Sequence, residues 1–402
     1  MTRPAQASAP AVAAQSRNLA LATTAFAINF WAWNLIAPLA TRYTDDLDLS
    51  ATQNSILVAM PVLVGSLGRI PVGALTDRYG GRRMFTVIST VSVIPVLLVM
   101  FAGNADSYPL LLLFAFLLGI PGTTFAVGIP FVNAWYEPAR RGFATGVFGA
   151  GMGGTALSAF FTPRFVDWFG YTTTHLILAA ALVAVAALSW TAMRDAPGWK
   201  ANLDPVVPKL AAAARLPVTW QMSFLYAVTF GGFVAFSTYL PTYLKAIYDF
   251  SQTEAGTRTA GFAIAAVIAR PIGGIVSDRF HPRPVVLTSL AGAAVMAIVI
   301  ATQPEPEIPA GLSFVAMAFF LGIGTGGVFA WVALRAPAER VGSVTGIVGA
   351  AGGLGGYFPP LVMGATYDEA NNDYTVGLAL LCITASCALL FVWFSLREPR
   401  RQ

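Results

Sequence analysis

The chain has 402 residues, 56% of them hydrophobic and only 11% charged, with a formal net charge of +5 and a mean hydropathy of +0.67. Soluble domains carry about 25% charged residues, so a water-soluble fold is excluded. The two cysteines, Cys382 and Cys387, share one apolar run, which excludes a disulfide scaffold. What remains is a polytopic membrane protein.

A helix needs about 20 apolar residues to cross the hydrocarbon. Residues 1–17, rich in Ala, Ser, Pro and Gln, are expected as a short disordered tail, and the apolar run from Leu19 as a retained helix, not a cleaved signal. Six spans follow at 18–41, 53–76, 84–102, 108–132, 142–163 and 172–193. After a linker at 194–215 come six more, at 216–243, 258–277, 284–301, 308–334, 340–364 and 374–396, then a tail at 397–402. The expected class is an all-α membrane protein of twelve transmembrane helices in two pseudo-symmetric six-helix halves. Lys and Arg in short loops set orientation. With both termini cytoplasmic, the inner loops and tails hold 18 of the 24 basic residues. The outer face keeps Arg42, Arg164, Lys245 and Arg258 among many acids. This asymmetry accounts for the positive charge without nucleic acid.

The chain repeats itself at half its length. Arg69-Ile-Pro-Val-Gly73 through Asp77-Arg78-Tyr-Gly80-Gly-Arg82-Arg83 is echoed 201 residues later by Arg270-Pro-Ile-Gly-Gly through Asp278-Arg279-Phe-His-Pro-Arg283. Two glycine ladders repeat as well: Gly142, Gly146, Gly149, Gly151, Gly153 and Gly154 in span 5, against Gly342, Gly346, Gly349, Gly352, Gly353, Gly355 and Gly356 in span 11. Such duplication suits carriers whose halves rock around a central site. Small residues at this spacing permit close helix approach. A methyl group at Gly149 or Gly349 is therefore expected to intrude where helices meet.

In the cores of the spans, away from their ends, lie two arginines, Arg69 and Arg270, at repeat-related positions, and no Asp, Glu or Lys. His175 sits at the start of span 6. Charge at membrane depth is costly and normally faces the bundle interior. Two guanidinium groups facing each other repel unless an anion lies between them, and their planar forks suit a flat oxyanion.

The Gly73–Arg83 motif, with its degenerate copy ending at Arg283, resembles the signature of the major facilitator superfamily. Gly73, Asp77, Arg78, Gly80, Arg82, Arg83, Asp278 and Arg279 then belong to conformational and structural contacts between loops and helix ends. The arginine pair and twin ladders resemble those of the nitrate/nitrite porter family within it. That resemblance implies that Arg69 and Arg270 bind the substrate and Tyr226 hydrogen-bonds it. It implies that Phe125 and Phe329 enclose its flat face, with Gly154 and Gly353 contacting it. Gly146, Gly149, Gly151, Gly346, Gly349 and Gly352 would form the sliding surfaces. Gly154 stands where well-described members carry asparagine; Asn29 and Asn34 are candidates to compensate. The implied activity is nitrate/nitrite exchange across a cell membrane by alternating access, as a monomer among lipids, with no enzyme chemistry, metal or organic cofactor. Proton-coupled nitrate uptake, transport of another small monoanion such as cyanate or formate, and anion sensing without transport remain open.

Overall fold

The structure is a computed structural model describing residues 9–137, 140–202, 205–337 and 340–396. Eleven helical stretches among these residues are long and apolar enough to cross a membrane. In chain order they are spans 1 to 4, Ala13–Leu47, Ala51–Tyr79, Gly81–Asn104 and Tyr108–Trp135; span 6, Tyr171–Ala192; and spans 7 to 12, Pro217–Tyr248, Gln252–Phe280, Pro282–Ala301, Ile308–Arg335, Val341–Ala365 and Thr375–Ser395. Span 5 completes the twelve in three consecutive pieces: an α-helix Arg141–Gly149, a 3-10 turn Ala150–Gly153 and an α-helix Gly154–Phe169. Side chains such as Ile94, Phe101, Ile275 and Leu312 are exposed on the outer surface. Such an apolar belt is stable against lipid and unstable against water.

Three expectations change. Residues 9–17 are helical, because the first helix begins at Ala9; residues 1–8 and the expected tail at 397–402 lie outside the described residues. The linker contains a helix, Val206–Ala214. Span 1 is broken: its helix ends at Trp33, a 3-10 turn occupies Ala37–Leu39, and helix resumes at Ala40.

The repeat extends into turn chemistry. Span 1 ends on Asp48 in the left-handed region and span 7 on Asp249 in the same conformation. Two residues on, Ser50 and Ser251 each close a capping box, with Gln53 and Glu254 respectively. Each box satisfies backbone donors that a helix start leaves unpaired.

The two halves are bound together chiefly at the face opposite the chain ends. There the Asn54 amide donates to Thr242 Oγ1 at 3.3 Å, Ser55 Oγ to the Tyr239 hydroxyl at 3.4 Å and Thr52 to the Gly364 carbonyl at 3.4 Å. Arg164 donates to Thr257 Oγ1 and Thr253 to Asp167, both at 2.8 Å. Toward the chain-end face the glycine ladders have open space beside them. A β-carbon on Gly146, Gly149, Gly342 or Gly346 would meet nothing within 4 Å. Among the described residues, hydrogen bonds tie the halves together on one face, and the ladders have open space beside them toward the other.

Candidate anion-binding site

Span 2 breaks at Gly68, and a new helical segment starts with Arg69. A β-carbon at Gly68 would press on Thr123 and the Val64 carbonyl. Gly68 keeps helical dihedrals, and Arg69 lies inside the bundle, 3% exposed. Its Nη1 donates to the Gly349 carbonyl of span 11 at 2.8 Å. Its Nε and Nη2 have no protein partner. Leaving charged donors buried and unmatched is expensive, and an acceptor placed at this corner would relieve that cost.

Arg270 is half-buried on span 8. It donates through Nη2 to the Tyr226 hydroxyl at 3.4 Å and directs Nη1 at the Met152 sulfur of span 5. Both guanidinium groups lie over the same two rings. Arg69 is 4.9 Å from the Phe125 centroid and 5.4 Å from Phe230. Arg270 is 5.6 Å and 6.0 Å from the same pair. Aromatic faces hold the cations attractively while leaving their N–H edges for a ligand.

The aromatic frame differs from the one expected. Phe230, one helical turn beyond Tyr226, stacks on it at 4.9 Å with 5° between planes. It also stacks on Phe125 at 6.2 Å and 25°. Phe329 is instead a flank: it meets Tyr226 edge-on at 4.6 Å and stands 5.6 Å from Arg270. Phe125 and Phe230 are the shared pair. Phe230 was discoverable, because a residue four positions after Tyr226 lies on the same helical face. Met152, hidden among glycines, gave no such signal.

The ladders divide by depth. Gly353 packs against Ser66, with its β-position 3.3 Å from Arg69 Nη1, and Gly352 lies against the Tyr226 ring. These two positions bring span 11 up to the site. Gly154 does not reach it, because a β-carbon there would run into the Ala27 carbonyl and Phe30 of span 1. Gly151 likewise abuts Phe26. Gly149 and Gly349, expected at a tight crossing, are loose: the first has no neighbour within 4 Å and the second only Phe125 at 3.6 Å. Asn29 is turned toward span 3, donating to Ser89 Oγ and to the Ala25 carbonyl, both at 2.8 Å. Asn34 lies at the break in span 1, its amide atoms buried without a protein partner.

The signature turn is held by a residue that the motif does not contain. Asp195, just past span 6, accepts from the Arg82 backbone N–H at 3.1 Å and fills the space beside Gly80, whose φ is +86°. Arg82 also donates through Nε and Nη2 to the Trp190 carbonyl at 2.9 and 2.6 Å. Asp77 offers its backbone carbonyl to the Asn202 N–H at 2.9 Å, and Lys209 of the linker helix interacts with its carboxylate. A β-carbon on Gly73 would reach Ala126 at 4.0 Å, while Arg78, Arg83, Asp278 and Arg279 are exposed at the chain-end face.

With this geometry in view, comparison with known proteins is specific. The profile of the Major Facilitator Superfamily matches residues 22–257 and 222–402. A probable nitrate/nitrite transporter, NarK2, of Mycobacterium tuberculosis is 63% identical over 96% of this chain and 98% of its own. The chain belongs to the nitrate/nitrite porter family of the major facilitator superfamily. The porter is also 34% identical to the nitrite extrusion protein of Bacillus subtilis, over 96% of this chain and 95% of that one. A probable nitrate/nitrite antiporter, NarK1, of Thermus thermophilus is 35% identical over 94% and 91%. Among solved structures, a bacterial homolog to the human lysosomal transporter Spinster, inward-facing and occupied, superposes with a TM-score of 0.72 at 19% identity, covering 96% of this chain and 97% of that one. The likeness establishes the fold. The porter is a multi-pass membrane transporter and not an enzyme.

Proposed function

We propose that the porter exchanges nitrate for nitrite by alternating access around Arg69 and Arg270. The observation that carries this reading is the pair of guanidinium groups set over the same two rings, with Arg69 Nε and Nη2 unmatched. A planar monoanion lying between Phe125 and Phe230 accepts from both arginines in its plane, and Tyr226 supplies a further donor. The names of the relatives support nitrate and nitrite as the anions. The charge asymmetry of the loops supports cytoplasmic termini, so the face where the ladders have open space lies toward the cytoplasm. One chain contains the whole site, which supports function as a monomer.

Exchange follows from charge. The arginines are the charged residues at the site, and arginine keeps its proton at any physiological pH. Closing the empty chamber confines two like charges in a medium that screens them poorly. A bound monoanion relieves that repulsion, so the loaded carrier reorients faster than the empty one. Vesicles loaded with nitrite, at matched pH and clamped potential, test this directly. External nitrate should accelerate nitrite efflux several-fold. Accumulation of nitrate in anion-free vesicles, driven by a pH gradient alone, would replace exchange by proton coupling.

A further inference from the structure

Met152 is the one long side chain in the stretch Ala150-Gly-Met-Gly-Gly154, and it is 2% exposed. Its direction is imposed. Gly151 and Gly154 press the 3-10 turn against Phe26, Ala27 and Phe30 of span 1, and Thr155 Oγ1 donates to the Met152 carbonyl at 2.9 Å. With the backbone clamped from behind, the thioether crosses between the halves and meets Arg270 Nη1. This guanidinium also donates to the Tyr226 hydroxyl, at a long 3.4 Å. Arg69, in contrast, holds a carbonyl oxygen at 2.8 Å. The two arginines are therefore anchored unequally: one to a backbone oxygen, the other to a neutral sulfur that is a weak acceptor.

We propose that Met152 is a positioning residue whose thioether occupies Arg270 in the empty carrier and is displaced by the incoming anion. This rests on reading the arginine pair as the anion site. The sulfur contact keeps Arg270 aimed into the chamber, yet it is weak enough for an oxyanion oxygen to replace. Methionine is unbranched with three rotatable bonds, so the displaced group swings aside without moving the backbone. Anion affinity is then measured against the Arg270–sulfur contact. A stronger acceptor at position 152 lowers the affinity, and removing the acceptor raises it.

The test compares Met152→Leu, which keeps size and apolarity, with Met152→Gln, which places an amide oxygen at similar reach. Purified carriers are titrated with nitrate and with nitrite by calorimetry, and exchange is timed in vesicles. Leu should tighten binding about threefold and slow maximal exchange, because release has lost its competitor. Gln should weaken binding at least about fivefold. These opposite shifts correspond to roughly 0.6 and 1 kcal/mol. A purely packing role moves both variants in the same direction, since a Leu-for-Met exchange in a core is ordinarily mild. Same-direction shifts, or none, overturn the proposal and leave the anion site standing. If the unmodified carrier binds neither nitrate nor nitrite, both readings fall together.

Discussion

The turn between spans 2 and 3 and its repeat between spans 8 and 9 follow the same backbone path with different chemistry. Gly80 and His281 occupy equivalent places, with φ of +86° and +81°. In both, the next helix needs a cap for one backbone N–H. Arg82 finds it in Asp195, a carboxylate brought from the end of span 6, at 3.1 Å. Arg283 finds it in the His281 ring itself, Nδ1 accepting at 3.2 Å. Beyond that, both arginines reach a tryptophan carbonyl, Trp190 in the first half and Trp393 in the second. Duplication has kept the bond and let the residue change. The first turn requires glycine because a distant carboxylate takes the space of a side chain; the second retains a side chain because it supplies its own cap.

The same inequality runs through the site, and the largest effects should test it there. Arg69→Lys and Arg270→Lys both lose the planar fork. Arg69 is the deeper and better anchored, so its substitution should be the worse. Hydrogen bonds to charged groups contribute about 1.5–3 kcal/mol, so nitrate exchange should fall by roughly one to two orders of magnitude. Equal losses in liposome assays would erase the distinction between the two arginines. Next comes the turn. Gly80→Ala carries a positive-φ strain of about 1–3 kcal/mol before the Asp195 carboxylate is displaced. His281→Ala should cost no more than a lost helix cap, about 1 kcal/mol. Thermal midpoints in detergent, read beside exchange rates, should place Gly80→Ala clearly lower.

Within span 5, Gly154→Ala should destabilise by about 1–3 kcal/mol through collision with span 1, whereas Gly149→Ala should change stability by less than about 0.5 kcal/mol. A damaging Gly149→Ala would mean that the space beside it closes tightly during transport. The smallest contrast is a matched pair. Ser50→Ala and Ser251→Ala each remove one capping box and should cost the same, about 1 kcal/mol. Unequal melting shifts would show that the halves differ even where their turns coincide.

Much of this was legible in the sequence, because lipid imposes a coarse and strict rule on length and polarity. The expected span at 308–334 is observed as Ile308–Arg335, and 108–132 as Tyr108–Trp135. The arginine pair stood out because charge at that depth is rare. Features decided by three-dimensional neighbours were hidden. Nothing in a glycine says whether the space beside it is filled, so Gly154, expected at the substrate, packs on span 1, and Gly149, expected at a tight crossing, has open space beside it. Asp195 is 113 residues from the Arg82 N–H that it caps, and no local pattern links them. Span 1 also unwinds at Asn34 without a proline there, since Pro38 falls in the following 3-10 turn.

The interruption of span 5 at Ala150–Gly153 has a mechanical meaning. A 3-10 helix rises about 2.0 Å per residue with 3.0 residues per turn, against 1.5 Å and 3.6 for an α-helix. Rewinding four such residues into α-helix would shorten the rod by about 2 Å and twist one end against the other by about 80°. Met152 stands on that thread, and its side chain would sweep with it. Such a rewinding would have to pull Gly151 and Gly154 away from span 1, so the contacts with Phe26, Ala27 and Phe30 hold the thread wound for as long as they last.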